Sequence, residues 1–271
     1  MKLLFCTDGS DWTQEAASPA CLLASLTADA VDVLIVGSPG ESAEAIQKTI
    51  APPFEALREQ GISIDFIWRE GKLKTQAVKE AKARSYDMLA IGSRGRRGLR
   101  RLLLGSVAAY VIRHASISTL ILKGQPCAFK RFLICSAVGP TSEKTIHFAG
   151  RLARSMGASV TLIHVMSQIP LTDEAEMSHL TAEAQDLIEN RSREGLHLSR
   201  MLDLLAEEGT KARAIVRHGL VIDEIIDEAQ EEAFDLLVLG AHTTPGLRSR
   251  LIDDLAEQAL LQANMPVLVV R

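Results

Sequence analysis

The chain has 271 residues, of which 47% are hydrophobic and 24% are charged, and its formal net charge is −4. This length and composition fit two compact domains that each bury a core, and the negative charge gives no general attraction to nucleic acids or acidic membranes. The longest mostly apolar stretch (102–112) is well short of the roughly 20 residues that cross a bilayer. Asp8 and Asp11 interrupt any export signal. We therefore expect a cytoplasmic protein with neither membrane nor nucleic-acid partners.

Apolar runs and amphipathic segments alternate through the first half of the chain. The predicted strands are LLFCT (3–7), VDVLIV (31–36), ISIDFIW (62–68), DMLAI (87–91) and STLIL (118–122). Helices are predicted between them over 12–26, 42–60, 73–84 and 106–114. Because parallel strands covered on both faces read as continuous apolar runs, this pattern predicts a doubly wound α/β domain.

The second half repeats this order. Its predicted strands are FLICS (132–136), VTLIHV (160–165), ARAIVRH (212–218), LLVLG (236–240) and VLVVR (267–271). Cys6 aligns with Cys135 at an offset of 129, whereas Gly71 aligns with Gly219 at an offset of 148. The difference between the two offsets indicates an insertion in the second helix of this half, which is predicted to run from about 173 to 207 as a contact surface or a solvated cover. We predict tandem domains over 1–124 and 129–271, each a five-stranded parallel sheet with helices on both faces.

A glycine segment (92–106) follows the fourth strand. It begins with Gly-Ser-Arg-Gly (92–95) and ends, nine residues later, with Gly105 and Ser106. Glycines let main-chain N–H groups approach an anion, and the helix predicted from Ser106 presents the positive end of its dipole. The arginines of the segment are Arg94, Arg96, Arg97, Arg100 and Arg101. A phosphate site is indicated, with a solvated basic turn as the alternative for the last three arginines.

The second half contains an altered copy of this segment (240–254). DLLVLG (235–240) repeats DMLAIG (87–92), but Thr243 replaces Gly95 and two aspartates, Asp253 and Asp254, replace the closing Gly-Ser. Threonine does not adopt a left-handed conformation as easily as glycine. We expect the aspartates to start a helix and to repel phosphate, so that one chain binds one nucleotide.

The motifs FCTDGS (5–10) and G-x2-G-x9-G-S (92–106), together with the strand order, resemble those of the universal stress proteins in their tandem two-domain form. The resemblance covers nearly the whole chain. It implies an adenine-nucleotide-binding fold, a role in stress survival, and pairing of the two domains through STLIL and VLVVR. The implied ligand is ATP, with or without Mg²⁺.

Asp8 directly follows the first strand, at the edge where doubly wound sheets bind ligands. Its carboxylate suits ribose hydroxyls, the adenine amino group or Mg²⁺, whereas the alternative role is a cap for the following turn or helix. Its counterpart, Ala137, can do neither. The resemblance implies that Cys6 and Val36 line the adenine and ribose, chiefly through backbone groups. The remaining implied binding residues are Gly92, Ser93, Arg94, Gly95, Arg96, Gly98, Gly105, Ser106 and Val107.

Catalytic motifs are missing from the sequence. The seven histidines form no ligand pattern, the four cysteines show no C-x-x-C spacing, and no serine lies in G-x-S-x-G. We assign no catalytic or metal-binding residue and expect at most slow ATP hydrolysis. Three functions stay open: an ATP-binding regulatory protein whose occupancy tunes the segment 94–104 and partner binding, an ATPase or nucleotidyl-transfer enzyme using the same site, and a nucleotide-free scaffold. A homodimer is compatible with each of them.

Overall fold

A computed structural model describes residues 1–93, 106–123, 127–137, 141–166, 183–241 and 247–271, with the backbone alone at 11–14, 141 and 247–254. Strands and helices alternate there, which confirms the predicted α/β fold. The strands are β1 (Lys2–Thr7), β2 (Ala30–Gly37), β3 (Ser63–Glu70), β4 (Met88–Gly92), β5 (Ser118–Leu122), β6 (Arg131–Cys135), β7 (Ser159–Met166), β8 (Ala212–His218), β9 (Leu236–Gly240) and β10 (Val267–Val270). The helices are α1 (Asp11–Thr27), α2 (Ala43–Glu59), α3 (Leu73–Ala83), α4 (Ser106–His114), α5 (Thr141–Met156), α6 (Ala184–Glu189), α7 (Arg193–Glu207), α8 (Val221–Glu231) and α9 (Leu247–Gln262).

The chain divides into two compact units. The first comprises Met1–Ala128, Arg250–Val269 and Arg271, and the second comprises Phe129–Ser249 and Val270. In the first unit the strand order is β3-β2-β1-β4-β5-β10, with β10 antiparallel to β5 and the other neighbours parallel. In the second unit the order is β9-β6-β7-β8, and all neighbours are parallel. In both units the chain therefore reverses its direction of winding beside the first strand of the repeat.

Helix α2 illustrates how the first unit buries its core. Ser42 precedes the helix, and its Oγ accepts a hydrogen bond from the Ala45 N–H at 3.2 Å. The apolar face of the helix places Phe54 against β1, where its ring centroid lies 5.2 Å from that of Phe5. Both rings are fully buried, and such burial stabilises a fold by about 1.5–3 kcal/mol per side chain. This packing holds the first turn of α2 near the carboxyl end of β1.

The predicted single helix over 173–207 is wrong in its described part, because the helix is broken between Glu189 and Arg193. Ser192 starts α7, and its Oγ accepts the Gly195 N–H at 3.0 Å. A Cβ on Gly195 would lie 1.8 Å from the carbonyl oxygen of Leu187, so only glycine lets the start of α7 pack this closely on α6. Residues 167–182 lie outside the described ranges.

The internal repeat extends to ion pairs in which a buried glutamate meets a partly exposed arginine. Arg69 Nη2 lies 3.2 Å from Glu80 Oε2 in the first unit, and Arg217 Nε lies 2.8 Å from Glu228 Oε2 in the second. Both arginines stand on the third strand of their half and both glutamates on the next helix, at the same offset of 148. The two glutamates are 5% and 2% exposed. Because an unpaired buried charge is costly, these pairs hold helix to strand in each unit.

The first unit contains a buried hydrogen bond between two side chains whose counterparts in the second half cannot form it. Tyr86 donates its hydroxyl hydrogen bond to Asp32 Oδ2 at 2.6 Å, and Asp32 is 2% exposed. Burial raises the pKa of Tyr86, and the hydrogen bond to Asp32 acts in the same direction, so the phenol stays a donor. At the corresponding positions the second half has Phe234 and Thr161.

We expect Tyr86→Phe to lower the free energy of unfolding by about 1.5–3 kcal/mol, because a hydrogen bond to a buried carboxylate is lost. Urea unfolding monitored by circular dichroism measures the change. Phe234→Tyr is the matched control, and it should give no stabilisation because Thr161 offers no carboxylate. Equal stability of Tyr86→Phe and the unchanged chain would show that Lys2 and Arg84, at 3.0 Å and 3.4 Å from Asp32 Oδ2, satisfy the carboxylate without the phenol.

Candidate functional site

The carboxyl ends of β2, β1 and β4 lie side by side in the first unit. Thr7 is in register with Ile35 on one side of β1, and Cys6 is in register with Ile91 on the other. The chain continues from β1 to β2 on one side and returns to β4 on the opposite side, which creates the crevice where doubly wound sheets bind ligands. The predicted site residues that the structure brings to this edge are Cys6, Asp8, Val36, Gly92 and Ser93.

The carboxylate of Asp8 shapes the turn that follows β1. Its Oδ1 accepts hydrogen bonds from the Ser10 N–H at 3.1 Å and from the Ser10 hydroxyl at 2.6 Å. Thr7 Oγ1 accepts the Gly9 N–H at 3.0 Å. The turn-forming role that the sequence left as the alternative is therefore present. Contact between Asp8 and a ligand stays a prediction.

Gly9 lies in this turn and within the motif FCTDGS (5–10), but it was not among the predicted binding residues. Its φ is 73°, in the left-handed region that favours glycine. A Cβ on Gly9 would lie 2.4 Å from Cγ2 of Ile46 in the first turn of α2. The turn thus depends on both the backbone freedom and the small size of glycine. The Asp-Gly dipeptide signalled the turn, but no sequence pattern signalled the contact with Ile46.

Cys6 and Val36 have buried side chains, at 0% and 3% exposure. Burial raises the pKa of the Cys6 thiol far above its usual range, and the negative charge of Glu80 adds to the shift. A protonated, buried thiol offers no nucleophile or soft metal ligand. If these two residues contact a ligand, they do so through their backbone groups, as expected from the sequence.

Much of the glycine segment lies outside the described residues. This applies to the predicted binding residues Arg94, Gly95, Arg96, Gly98 and Gly105. The described end of the segment shows Ser106 exposed at the first position of α4 and Val107 half-buried. Helix α4 has no acidic residue in its first turn, whereas its last turn carries Arg113 and His114. Its positive dipole end is therefore not offset by a nearby carboxylate of its own first turn.

The second unit differs from the first at the matching positions. Ser136 and Ala137 correspond to Thr7, the last residue of β1, and to Asp8, so alanine stands where the first unit has a carboxylate. The expectation that the paired aspartates start a helix is wrong. Helix α9 begins at Leu247, and 253–254 lie inside it. Asp253 takes the place of Gly105, and a position without glycine carries no strong local signal against helix, which is consistent with 253–254 lying inside α9.

Two further properties hold for the part of the chain that the structure describes. None of its helices combines the length and apolar character needed to cross a membrane. Its histidines, cysteines and acidic residues form no group of three or more that could hold a metal ion.

The model of the Universal stress protein family matches the chain twice, over residues 1–123 and 128–271. The universal stress protein MJ0531 of Methanocaldococcus jannaschii is 30% identical over 138 residues, which cover 45% of this chain and 81% of that protein. The universal stress protein YxiE of Bacillus subtilis is 26% identical over 147 residues, which cover 53% of this chain and 99% of that protein.

Solved structures show the same fold over the whole length. A universal stress protein from Archaeoglobus fulgidus superimposes with a TM-score of 0.71 at 16% identity, covering 100% of this chain and 98% of that chain. The functionally unknown protein PA1789 from Pseudomonas aeruginosa superimposes with a TM-score of 0.72 at 19% identity, covering 99% and 92%. At these identities the similarity concerns the fold.

Proposed function

The chain belongs to the universal stress protein family in its tandem form, and we propose that its first domain (1–124) binds one adenine nucleotide, ATP, while its second domain (129–271) binds none. We propose a regulatory role in stress survival for this binding, in the cytoplasm. The sequence and the strand-end geometry of the first unit support the proposal.

The observation that carries the proposal is the set of adjacent strand ends at β2, β1 and β4. It places the Asp8 turn between the end of β2 and the start of the glycine segment, in a crevice of the type that takes nucleotides. The backbone groups of Cys6 and Val36, near the ends of β1 and β2, suit contact with the adenine and the ribose. Ser93 and Ser106 mark the two described ends of the segment proposed to hold the phosphates.

Charge supports the difference between the two domains. The glycine segment contributes five arginines, and each charge-assisted hydrogen bond to a phosphate is worth about 1.5–3 kcal/mol. Its counterpart lacks glycines at the positions of Gly95 and Gly105 and carries Asp253 and Asp254. Asp8 supplies an acceptor for a ribose hydroxyl or a ligand for Mg²⁺, whereas Ala137 supplies neither.

We propose binding rather than turnover as the main activity. Asp8 Oδ1 is held by both polar hydrogens of Ser10, and this fixed orientation suits contact with a ligand better than abstraction of a proton. Slow hydrolysis stays compatible with the site, because positioning a triphosphate is most of what phosphoryl transfer requires.

The antiparallel register of β5 and β10, with Leu120 opposite Leu268, supports the proposal that STLIL and VLVVR pair within one chain. Formation of a homodimer and binding of unidentified protein partners stay part of this proposal.

We expect an equilibrium titration with a labelled ATP analogue to saturate near one nucleotide per chain. Asp8→Ala should weaken binding by about 10- to 150-fold if one charge-assisted hydrogen bond is lost. The matched change in the other domain, Ala137→Asp, should leave the stoichiometry near one because the second glycine segment stays altered. Saturation near two would contradict the asymmetry.

Other outcomes separate the alternatives. An absence of binding by the folded chain, with no adenine nucleotide after acid extraction, would favour the scaffold. Release of ADP or AMP over many turnovers, lost in Asp8→Ala, would favour the enzyme.

A further inference from the structure

Ser136, His164 and His197 lie together at the carboxyl ends of β6 and β7 in the second unit. Ser136 directly follows β6, and its Oγ lies 2.7 Å from Nε2 of His197 on α7. Nδ1 of His164, on β7, lies 2.9 Å from the backbone carbonyl oxygen of Ser136. No motif in the sequence predicted this cluster, which occupies the strand end corresponding to Thr7.

The hydrogen bonds and charges define the protonation of the cluster. A carbonyl oxygen only accepts, so Nδ1 of His164 is the donor to Ser136. Burial lowers the pKa of His197 below 6.5, and His164 acts in the same direction, whereas Glu143 on α5 and Glu194 on α7 oppose the shift. Glu143 is itself 3.4 Å from Nε of Arg200. The lowered pKa favours the neutral His197 imidazole at pH 7, and in its Nδ1–H tautomer Nε2 accepts the hydroxyl proton of Ser136.

We propose that Ser136 is a nucleophile and His197 its general base, in a site for acyl transfer from small carboxylic esters. The Oγ to Nε2 distance lies within the range required for a serine activated by a base. The cluster stands at the strand ends of a doubly wound unit, where ligands bind. Ser136 is 7% exposed and His197 is half-buried, so we expect only a small acyl group to reach Oγ of Ser136. The proposal does not depend on nucleotide binding in the first domain.

The reaction has two balanced halves. Ser136 Oγ forms a bond to the acyl carbon as its proton passes to His197 Nε2, and the imidazolium returns that proton to the leaving alcohol oxygen as the ester bond breaks. Water then gives a proton to His197 as its oxygen adds to the acyl carbon. Ser136 Oγ leaves with that proton, and the carboxylic acid is released.

Ser142 supplies a matched control in the same unit. Its hydroxyl donates to the carbonyl oxygen of Ala137, and the residue is also buried, at 8% exposure. It is therefore buried to a similar extent as Ser136 but is bonded to a backbone carbonyl instead of an imidazole. The proposed chemistry predicts opposite behaviour of the two serines toward an electrophile.

The test treats the full chain with p-nitrophenyl acetate, follows nitrophenolate release, and locates the acetyl group by peptide mass spectrometry. We expect a burst near one equivalent per chain with acetyl on Ser136. Ser136→Ala should lose that label, Ser142→Ala should keep it, and His197→Gln should slow acylation by at least about 100-fold. The wild-type rate should rise with pH and reach a plateau by pH 7, because the pKa of His197 lies below 6.5.

Circular dichroism serves as the folding control. The result for a variant is interpreted only if its spectrum matches that of the unchanged chain. Absence of acetyl on Ser136 in the folded wild-type chain would overturn the site and leave a purely structural hydrogen bond. Acetylation of Ser136 at an unchanged rate in His197→Gln, or a rate that keeps rising well above pH 7, would overturn the role of His197 as base. If a misfolded Ser136→Ala makes that variant uninformative, the His197→Gln rate and the pH profile still decide.

Discussion

Replacing Gly95 with valine is expected to abolish nucleotide retention while the chain stays folded. A β-branched side chain disfavours positive φ and keeps main-chain N–H groups away from the phosphates. The loss of two charge-assisted hydrogen bonds, at about 1.5–3 kcal/mol each, corresponds to at least a 100-fold weaker affinity. Acid extraction of the purified protein followed by chromatography measures retained adenine nucleotide, and equilibrium binding measures the affinity.

The second half offers a matched control for this change. Thr243 stands at the position that corresponds to Gly95, at an offset of 148. Thr243→Val exchanges one β-branched residue for another of similar shape, so nucleotide retention should not change. Full retention in Gly95→Val would remove the glycine segment from the proposed site, and a loss in Thr243→Val would point to a ligand in the second domain.

Replacing Gly9 with alanine is expected to lower the free energy of unfolding by about 2–5 kcal/mol, the sum of a backbone and a packing contribution. About 1–2 kcal/mol comes from placing a non-glycine residue at a φ of 73°. Overpacking contributes about 1–3 kcal/mol more, because the new Cβ would lie 2.4 Å from Ile46 Cγ2 on a stiff, β-branched helical side chain. Urea unfolding measures the loss, and nucleotide affinity should fall with it since the turn carries Asp8.

Two further variants separate strain from collision. Gly61 has a φ of 88°, and a Cβ added there would have no heavy atom within 4 Å, so Gly61→Ala reports the backbone strain alone. Ile46→Ala removes Cγ2, and the double variant Gly9→Ala, Ile46→Ala should be more stable than the sum of the single changes predicts. Strict additivity would show that Ile46 does not limit the turn.

The sequence predicted the bounds of several elements closely. The limits of β5, β8 and α4 agree with prediction, and those of β1, β2 and β4 differ by a single residue at one or both ends. These segments combine apolar periodicity with clear stops, such as the glycine that ends β2. Such signals are local, because they arise from neighbouring residues along one strand or helix.

Predictions for the second half were less accurate where its sequence departs from that of the first. The segment 173–207 has helical periodicity, but Ser192 and Gly195 start a new helix whose close approach to Leu187 depends on the packing of α6 against α7. The start of α9 was also misplaced, because its position was transferred from α4 although the glycine that marks that position in the first half is absent.

The sequence by itself determined the repeat, the order of strands and helices, and the altered glycine segment of the second half. Each of these can be recognised from local patterns of neighbouring residues, which are then compared between the two halves. Only the tertiary structure decided that Ile46 packs on Gly9 and that His197 binds Ser136, 61 residues away. Such contacts join side chains from different elements. They depend on how helices dock on the sheet, and no local periodicity encodes which of the many side chains on a docked face will meet.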